Sequence, residues 1–396
     1  MRVTLVTRIH APEPAAASLR LAAVERALVG RGHRVVALTS RYPGAAGADS
    51  DEPGVQVRRW PTLRAADGQL RGYLPYLSFD LPLVGRVLGR RRPHVFLVEP
   101  PPTTGAVMRG LAGLVARPYV WYAADVWSDA AAGAGAPGPV VRVVRALERF
   151  AVRGASAVIA VSDDVAARVK QLGARSVHVV RNGVDTELFT AHQAGPDAAL
   201  RAQAAVHHPY FVYAGTASEW QGAEIFAQAA GQVADANFQL VFLGQGSAWP
   251  TIAAVAASLP PLPDGAPRVV LLGQRSAAEA AAWQAGALAA LVSIRPGQGY
   301  DFAYPTKVLS ALACGTPVLY AGVGPVCQDL ADPLLGRAVD YDVAALAQAL
   351  RELANAAPSE AAARTARHAW VAEHRSTRRV GQAVAEILEA TVRARS

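Results

Sequence analysis

The sequence has almost no lysine: Lys170 and Lys307 are the only two among 39 basic residues, and the rest are arginine. The scarcity matters because lysine carries a compact ammonium with three donors, which can enter a cluster of phosphate oxygens, whereas arginine presents a planar fork. Lys170 falls on an ordinary surface helix. Lys307 opens a helix in a segment of loop, short helix, turn and buried strand, so it is either a phosphate-binding cation or a first-turn charge left by chance.

The chain also lacks the features of several protein classes. Its two cysteines, Cys314 and Cys327, are too few for a disulfide framework, and no Cys/His cluster has zinc-site spacing. No apolar run reaches the ~18 residues of a membrane-spanning helix. The first residues lack the apolar core and the cleavage site of a signal peptide. We therefore expect a cytoplasmic protein that is soluble or peripheral.

Common cofactor motifs are missing as well. The Gly-x-Gly pairs that follow predicted strands, at Gly244 and Gly322, lack the third glycine of a nicotinamide-binding turn, and no Gly-Lys-Ser/Thr phosphate loop occurs. Two carboxylate pairs, Asp49 with Asp51 and Asp340 with Asp342, resemble a metal clasp. Asp342, however, directly precedes a helix and is predicted as its N-cap. We expect no metal and no cofactor.

Positive charge is concentrated in the first half of the chain. Residues 1–190 carry 25 basic and 15 acidic side chains, whereas residues 191–396 carry 14 and 16. Much of the excess lies in two clusters, which are Arg86, Arg90, Arg91 and Arg92, and Arg142, Arg145, Arg149 and Arg153. The second cluster has spacings of three and four, so it forms one helix face. We expect peripheral contact with an anionic membrane and no nucleic acid; a solvated face that keeps the protein soluble is the alternative.

Strands rich in Val, Leu and Ile alternate with helices rich in Ala, Arg and Leu, which is the pattern of a parallel sheet covered on both faces. A first series begins at Arg2–Thr7, and a polar stretch around residues 191–204 separates it from a second that begins at Tyr210–Ala214. We predict an α/β protein of two doubly wound, Rossmann-like domains that face a central cleft. The domains are residues 1–190 and 191–375, and a closing helix at 376–396 packs back toward the first.

Seven short motifs occur in order along the chain. They are Ser18-Leu-Arg20, Arg31-Gly-His33, Asp125-Val-Trp127, Arg181-Asn-Gly-Val-Asp185, Tyr213-Ala-Gly215-Thr216, Leu243-Gly244-Gln-Gly246, and Pro305-Thr306-Lys307 followed by Gly315-Thr-Pro317. Each is weak alone. Together, in this order and spacing, they resemble the retaining GT-B glycosyltransferases of family four, in particular the branch with a Pro-Ser/Thr-Lys donor-site element, which includes amino-sugar transferases. The resemblance extends over nearly the whole chain.

The resemblance implies that a sugar passes from a nucleoside-diphosphate sugar, expected to be a UDP-sugar, to an acceptor hydroxyl. Transfer is expected to retain the anomeric configuration and to need no metal. The C-terminal half then binds the donor, and Lys307 neutralises the leaving diphosphate as an electrostatic catalyst. The other expected donor-binding residues are Gly215, Thr216, Gln221, Gly244, Asp301, Pro305, Thr306 and Ser310.

The same resemblance makes the N-terminal half the acceptor domain. Asp125 is expected to act as the acceptor base or orienter, with a helix N-cap as the equally supported alternative. Trp127 either stacks on a sugar face or belongs to the core. Ser18 and Arg20 are the remaining acceptor-side residues. The acceptor is a small molecule or a lipid-linked sugar at the inner membrane face.

The chain lacks two carboxylates of the family. The wider family has two glutamates eight positions apart, and Phe302 and Ser310 stand in their places here. Asp301 is expected to replace the first by bonding a sugar hydroxyl, and Ser310 to contact the ribose. The lost carboxylates keep two alternatives open: a nucleotide-sugar epimerase of GT-B architecture, and a non-catalytic nucleotide-sugar-binding accessory protein.

Overall fold

A computed structural model of the chain describes residues 1–13, 15–43, 52–65, 70, 72–89, 91–133, 135–233, 235–357 and 359–395. Arg90 and the pair Asp49 and Asp51 lie outside the described residues. The chain forms two compact units, of which unit 1 is Met1–Gly183 with Thr377–Ser396 and unit 2 is Val184–Ser376. The change from one unit to the other therefore falls in the Asn-Gly segment of the fourth motif.

Unit 1 is built on a parallel sheet with strand order β3-β2-β1-β4-β5-β6-β7. The strands are β1 (Arg2–Val6), β2 (Arg34–Ser40), β3 (Val55–Trp60), β4 (Val95–Val98), β5 (Tyr119–Ala123), β6 (Ala157–Ala160) and β7 (Val177–Val179). The helices are α1 (Ala16–Gly30), α2 (Tyr73–Leu88), α3 (Pro102–Leu114), α4 (Trp127–Gly133), α5 (Gly138–Gly154), α6 (Asp163–Gln171) and the closing helix α15 (Thr377–Arg393).

The central strands of unit 1 are apolar along their whole length. Every residue of β4, β5 and β6 is buried, as expected for parallel strands with helices on both faces. Val6 and Trp121 pack on one face with side chains of α2, α3 and α5. Leu5 and Val120 pack on the other face with side chains of α1 and α15. The two faces of the sheet thus have separate apolar cores.

The closing helix α15 packs on α1, within unit 1. The helices approach closely at Gly381, where a Cβ would lie 2.2 Å from the carbonyl oxygen of Ala23. Arg31 Nε and His33 Nε2 lie 2.9 and 2.7 Å from the carboxylate of Glu389. The hydrogen bond from Arg31 is the main reason that the pKa of Glu389 is lowered to about 2. These contacts fix the last helix of the chain on the first sheet.

Unit 2 repeats the architecture on a parallel sheet with strand order β10-β9-β8-β11-β12-β13. Its strands are β8 (Tyr210–Ala214), β9 (Gln239–Leu243), β10 (Val269–Gly273), β11 (Ala290–Ser293), β12 (Val318–Ala321) and β13 (Gly336–Val339). Its helices are α7 (Ala198–Gln203), α8 (Glu224–Gly231), α9 (Trp249–Ser258), α10 (Ala277–Ala285), α11 (Thr306–Ala313), α12 (Pro325–Asp329), α13 (Val343–Asn355) and α14 (Ala361–His374).

Aromatic side chains fill the core of unit 2. Tyr210 and Trp283 pack edge to face with ring centroids 5.3 Å apart, and the Tyr210 hydroxyl donates to the carbonyl oxygen of Trp283 at 2.9 Å. Phe211 and Phe238 pack in the same way on the other side of the sheet. Both units are therefore parallel sheets covered by helices, which confirms the predicted α/β class. None of the helices in the described part of the chain combines the length and apolar character that crossing a bilayer requires.

Candidate functional site

Two glycine loops meet at the carboxyl ends of β8 and β9. Gly215 N donates to the carbonyl oxygen of Leu243 at 2.8 Å, and Ala217 N donates to that of Gln245 at 2.9 Å. Gly244 has a φ of +135°, and a Cβ there would lie 2.1 Å from the carbonyl oxygen of Gly215. Only glycine fits both the backbone conformation and the contact. Gly215 and Gly244, both expected at the donor site, therefore form one surface, here called the glycine platform.

Lys307 lies beside the glycine platform, at the second position of α11. Its Nζ donates to the Tyr213 hydroxyl at 2.6 Å and to the carbonyl oxygen of Thr216 at 2.8 Å, across 91 positions of sequence. A Cβ on Gly215 would lie 3.5 Å from Lys307 Cε. The structure thus brings together four of the residues expected at the donor site: Lys307, Gly215, Thr216 and Gly244.

The ammonium of Lys307 has two oxygen acceptors but no counter-ion: it forms no ion pair with any carboxylate of the described residues. Burial lowers its pKa to about 7, because a charge away from water is less well solvated. An anionic ligand would restore the charged form. The position is therefore complementary to a phosphate group carried by a ligand.

The lowered pKa of Lys307 predicts that nucleotide binding depends on pH. Below pH ~7 the side chain is already protonated, whereas above it a diphosphate binds only with uptake of a proton. We expect the Kd for UDP to rise as pH increases from about 7 to about 9, by up to about tenfold per unit. The dependence should vanish in Lys307→Met. Calorimetric titrations at several pH values measure it, and identical profiles for the two proteins would contradict the prediction.

Gln221 supports the loop that follows β8. Its side chain is buried, and its Oε1 lies 3.0 Å from Ser218 N and 3.2 Å from the Tyr213 hydroxyl. The amide oxygen is thus engaged within unit 2, where it holds Tyr213, which in turn holds Lys307. In the sequence, Tyr213 stands out only as a member of the fifth motif. The signal for its role was a tyrosine near the carboxyl end of an otherwise apolar strand.

The loop before α11 carries Asp301 and Tyr300, and Tyr300 stacks on Trp220 of the loop after β8. Trp220 and Tyr300 stack with ring centroids 4.4 Å apart and planes 20° apart. The Asp301 carboxylate accepts from Gly297 N at 3.1 and 3.3 Å, so it stabilises its own loop. Phe302 is 48% exposed. The expected bond from Asp301 to a sugar hydroxyl stays a prediction.

The remaining donor-side residues lie at the start of α11. Pro305 is the N-cap residue in extended conformation, and Thr306 is the exposed first residue of the helix. Ser310 is buried, with its Oγ 2.9 Å from Gln284 Oε1 and 3.1 Å from the carbonyl oxygen of Lys307. In this conformation the Ser310 hydroxyl forms its hydrogen bonds within unit 2. Its expected contact with a ribose also stays a prediction.

A second cation, Arg295, directly follows Ile294 at the end of β11. Its backbone N donates to the carbonyl oxygen of Trp220 at 2.9 Å, and its guanidinium pairs with Glu224. The Tyr341 hydroxyl lies 3.5 Å from Arg295 Nε. Because Glu224 already compensates this arginine, Arg295 differs from Lys307. Arg295 is not among the residues that the sequence predicts for the site.

Two of the expected acceptor-side residues of unit 1, Asp125 and Trp127, follow the carboxyl end of β5. Asp125 is exposed and accepts no hydrogen bond from the described residues, although the surrounding protein raises the pKa of its carboxyl by desolvation. Glu148 instead accepts from Trp127 N at 2.7 Å and Ser128 N at 3.1 Å. The start of α4 is thus capped by Glu148. The N-cap alternative for Asp125 is wrong, and its carboxylate is available to a ligand.

Arg20 is held in place by a buried ion pair. Its Nη2 donates to Glu99 at 2.6 Å, and Thr7 Oγ1 donates to the same carboxylate at 3.1 Å. The guanidinium lies 4.6 Å from the ring centroid of Tyr122. Ser18 is also buried, and its hydroxyl has no hydrogen-bond partner among the residues that the structure describes. Of the two, Arg20 is therefore the one that the structure joins to the Glu99 carboxylate.

Helix α2 exposes an apolar face. Six of its large apolar side chains reach solvent, and their spacings of three and four place them on one side of the helix: Tyr73, Leu74, Leu77, Leu81, Val84 and Leu88. Leu81 is 67% exposed. Arg91 and Arg92, which follow the helix, are exposed, and so are the four arginines predicted on α5. These six side chains are called the α2 apolar face below.

The second carboxylate pair has a structural explanation. Asp342 accepts from Ala345 N at 2.9 Å as the N-cap of α13, which confirms the prediction for this residue. Within the described ranges, no three His, Cys, Asp or Glu side chains are grouped to hold a metal ion.

Comparison with known proteins gives the class of the two units. Residues 18–188 match the family described as Glycosyltransferase Family 4, and residues 208–356 match the family described as Glycosyl transferases group 1. The chain is 29% identical over 242 residues to the alpha-maltose-1-phosphate synthase of Mycolicibacterium smegmatis. That match spans 51% of this chain and 58% of the relative, so it covers little more than half of either protein.

Solved structures share the architecture over the whole chain. HepE from Anabaena in complex with UDP-glucose has a TM-score of 0.67 at 17% identity, over 98% of this chain and 100% of that one. The sucrose-phosphate synthase of Thermosynechococcus elongatus has a TM-score of 0.65 at 19% identity, over 100% and 97%. The fold is therefore GT-B, as predicted. The two units thus resemble glycosyltransferase domains, the first over residues 18–188 and the second over residues 208–356.

Proposed function

We propose that the protein transfers a sugar from a nucleoside-diphosphate sugar to an acceptor hydroxyl. The observation that carries the proposal is the ammonium of Lys307, which stands beside the glycine platform with no carboxylate partner among the described residues. A UDP-sugar is the expected donor. The complexes of Anabaena HepE with UDP-glucose and with UDP support a uridine nucleotide for a protein of this fold.

In the proposed reaction, Lys307 acts on the leaving group. Cleavage of the bond between the anomeric carbon and the diphosphate leaves an additional negative charge on the departing phosphate oxygen. A protonated lysine placed beforehand at that oxygen stabilises the charge as it develops, without reorganisation of water. We propose that this cation serves in place of a metal ion, so that chelators leave the activity unchanged.

We further propose that the anomeric configuration is retained, an assignment that rests on the resemblance of the motifs to retaining family-four enzymes. On the acceptor side, Asp125 is the proposed base or orienter because its exposed carboxylate accepts no hydrogen bond from the residues that the structure describes. The name of the Mycolicibacterium relative is that of an enzyme whose product is a sugar phosphate. It supports a small phosphorylated sugar as one acceptor class, beside a lipid-linked sugar.

The proposed activity is tested with purified protein, a panel of UDP-, GDP- and dTDP-sugars, and small and lipid-linked acceptors. Mass spectrometry should detect a glycosylated acceptor together with a released nucleoside diphosphate. Donor incubated alone is the control, because a sugar isomer formed without acceptor would identify an epimerase instead. The anomeric proton of the product, observed by NMR, reports retention or inversion.

A non-catalytic role in nucleotide-sugar binding is the second candidate. It is favoured by the departures at Phe302 and Ser310, since the first side chain is apolar and the second is bonded to Gln284 inside unit 2. Such a protein would bind a nucleotide sugar with no turnover over the acceptor panel. The two candidates therefore give opposite results in the same assay.

We also propose that unit 1 makes peripheral contact with an anionic membrane through the α2 apolar face. An exposed apolar stripe next to arginines fits the boundary between lipid headgroups and acyl chains.

Replacing Leu77 and Leu81 together by Glu should reduce co-sedimentation with phosphatidylglycerol-containing vesicles by about tenfold or more, because each change removes apolar contact and adds charge repulsion. The matched control is Val143→Glu, at a 60% exposed position on α5. Equal binding by the double variant, or no binding by the wild type at low salt, would remove the proposal.

A further inference from the structure

Arg8 is a buried arginine with no assigned role. It follows β1 by two positions and is only 5% exposed. Its guanidinium lies 3.9 Å from the ring centroid of Tyr76 and 5.9 Å from that of Trp127. Stacking of this kind uses the flat face of the guanidinium and leaves its N–H groups, which point outward from the edge, for hydrogen bonds.

Two of the three guanidinium nitrogens of Arg8 are not satisfied by the protein. Its Nε and Nη1 are shielded from solvent and have no hydrogen-bond partner among the described residues. The guanidinium also interacts with the Tyr76 side chain, which favours its charged form. Most buried polar groups in folded proteins are paired, since an unpaired one costs free energy and an unpaired charge costs more. An arginine in this state therefore points to a ligand that completes it.

The nearest carboxylates do not neutralise Arg8. Glu99 and Asp80 are close enough for their charges to influence it, but Arg8 forms no ion pair with either within the described part of unit 1. Glu99 is already paired with Arg20 at 2.6 Å. Asp80 accepts from Thr104 at 2.6 Å, and burial raises the pKa of its carboxyl, which favours the uncharged form. The positive charge of Arg8 thus has no dedicated counter-ion.

The surroundings of Arg8 connect it with the proposed acceptor side. Trp127, which lies near its guanidinium, comes two residues after the exposed Asp125. Arg20, Glu99's partner, is near enough to Asp125 for their charges to interact. The hydroxyl of Tyr122, whose ring lies 4.6 Å from the Arg20 guanidinium, and that of Ser18, two positions before Arg20 on α1, have no hydrogen-bond partner within the described part of the chain. Several donors for one ligand therefore occur together at this end of the sheet.

We propose that Arg8 binds an oxyanion, a phosphate or a carboxylate, carried by the acceptor. The planar fork of arginine meets two oxygens of such a group at once, with charge-assisted hydrogen bonds. The acceptor is then an anionic sugar or alcohol rather than a neutral one. This inference rests on the proposed transferase function for the identity of the ligand as the acceptor, whereas the anion site itself is independent of it.

The first test is binding of inorganic phosphate to the full chain, with saturating UDP present to occupy the Lys307 site and with chloride at matched ionic strength as reference. Wild-type protein and the control Arg142→Gln, which changes an exposed arginine of α5, should respond alike. Arg8→Gln should weaken phosphate binding by about 100-fold. Arg8→Lys, which keeps the charge but loses the fork, should fall between the two. An equal phosphate response in Arg8→Gln and wild type would overturn the site.

The second test uses phosphorylated, uronic-acid and neutral forms of one acceptor sugar in the transfer assay. We expect the wild type to prefer one anionic form of the acceptor. Arg8→Gln should lose that preference because its KM for the anionic acceptor rises, while its affinity for UDP stays unchanged. A wild type that uses the neutral form equally well would refute the acceptor assignment.

If Arg8→Gln does not fold, Tyr76→Leu, which removes the stacking partner but keeps the charge, provides the same comparison with an expected loss of about tenfold. Failure of UDP to bind the wild type would count against the transferase proposal alone.

Discussion

Lys307→Met should reduce the kcat/KM of sugar transfer by about 1,000-fold, because the variant loses the cation that stabilises the leaving diphosphate. Methionine has a similar length and tolerates burial, so the shape of the site is kept. Lys307→Arg should also be impaired, by about tenfold or more, since a planar fork does not fit where Nζ lies 2.6 Å from the Tyr213 hydroxyl. Initial-rate measurements with a working donor determine both values.

The stability of the same variant provides the control. Burial lowers the pKa of Lys307 from 10.5 to about 7, so the folded protein binds this proton less tightly than the unfolded chain does. The resulting loss of stability is fully present below about pH 7 and fades as pH rises toward about 10.5. Lys307→Met should therefore unfold at a higher temperature than wild type at neutral pH, with a smaller gain at higher pH. Normal turnover in a stable Lys307→Met protein would refute the proposed role.

Gly244→Ala should abolish detectable nucleotide binding and destabilise unit 2 by about 3 kcal/mol or more. The new Cβ would lie 2.1 Å from the carbonyl oxygen of Gly215, and the other nearest atoms also belong to the Gly215 backbone, so no flexible side chain can move away. The strained φ of +135° adds to the cost. Urea unfolding gives the free energy of unfolding, and calorimetry with UDP gives the affinity.

Gly265→Ala is the matched control for this prediction. Gly265 also has a positive φ, +87°, but nothing lies within 4 Å of the position its Cβ would take. It should cost only the ~1 kcal/mol of backbone strain and leave UDP affinity unchanged. Equal effects of the two substitutions would show that strain alone, and not the close approach of the two loops, determines the outcome at Gly244.

The alternation of apolar strands with helices was sufficient to predict most of the fold. The strand predicted at Tyr210–Ala214 is β8 with the same bounds, because a strand buried on both faces is apolar along nearly its whole length. Two strands lack this signal, β3 (Val55–Trp60) and β13 (Gly336–Val339). Both lie at a sheet edge, where half-exposed positions carry polar or small residues and the continuous apolar run is lost.

The donor side of the site was partly readable from the sequence. Lys307 stands out because lysine is rare in this chain, and the glycine platform stands out because its glycines directly follow predicted strands. The engagement of Ser310 with Gln284 was not readable, since it depends on how α11 packs against α10. The same holds for Asp125. The sequence allows it to cap α4, and only the hydrogen bonds from Trp127 N and Ser128 N to Glu148 exclude that role.

Arg8 shows what a sequence cannot reveal about a buried charge. In a chain with so many arginines its identity carries no signal, and its place after β1 gave no indication that two of its N–H groups would be shielded and unpaired. That condition arises from Tyr76, 68 positions away on α2, and from Trp127 on α4. Only the packed structure brings these three side chains together.

The most direct test of the central claim is a thermal-shift comparison of wild type and Lys307→Gln with UDP, GDP and dTDP. A ligand that binds only the folded state raises the unfolding temperature by mass action. We predict that at least one nucleotide, expected to be UDP, stabilises the wild type by several degrees and stabilises Lys307→Gln much less. No shift with any of the three, or equal shifts in the two proteins, would contradict the assignment of a nucleotide-diphosphate site at Lys307.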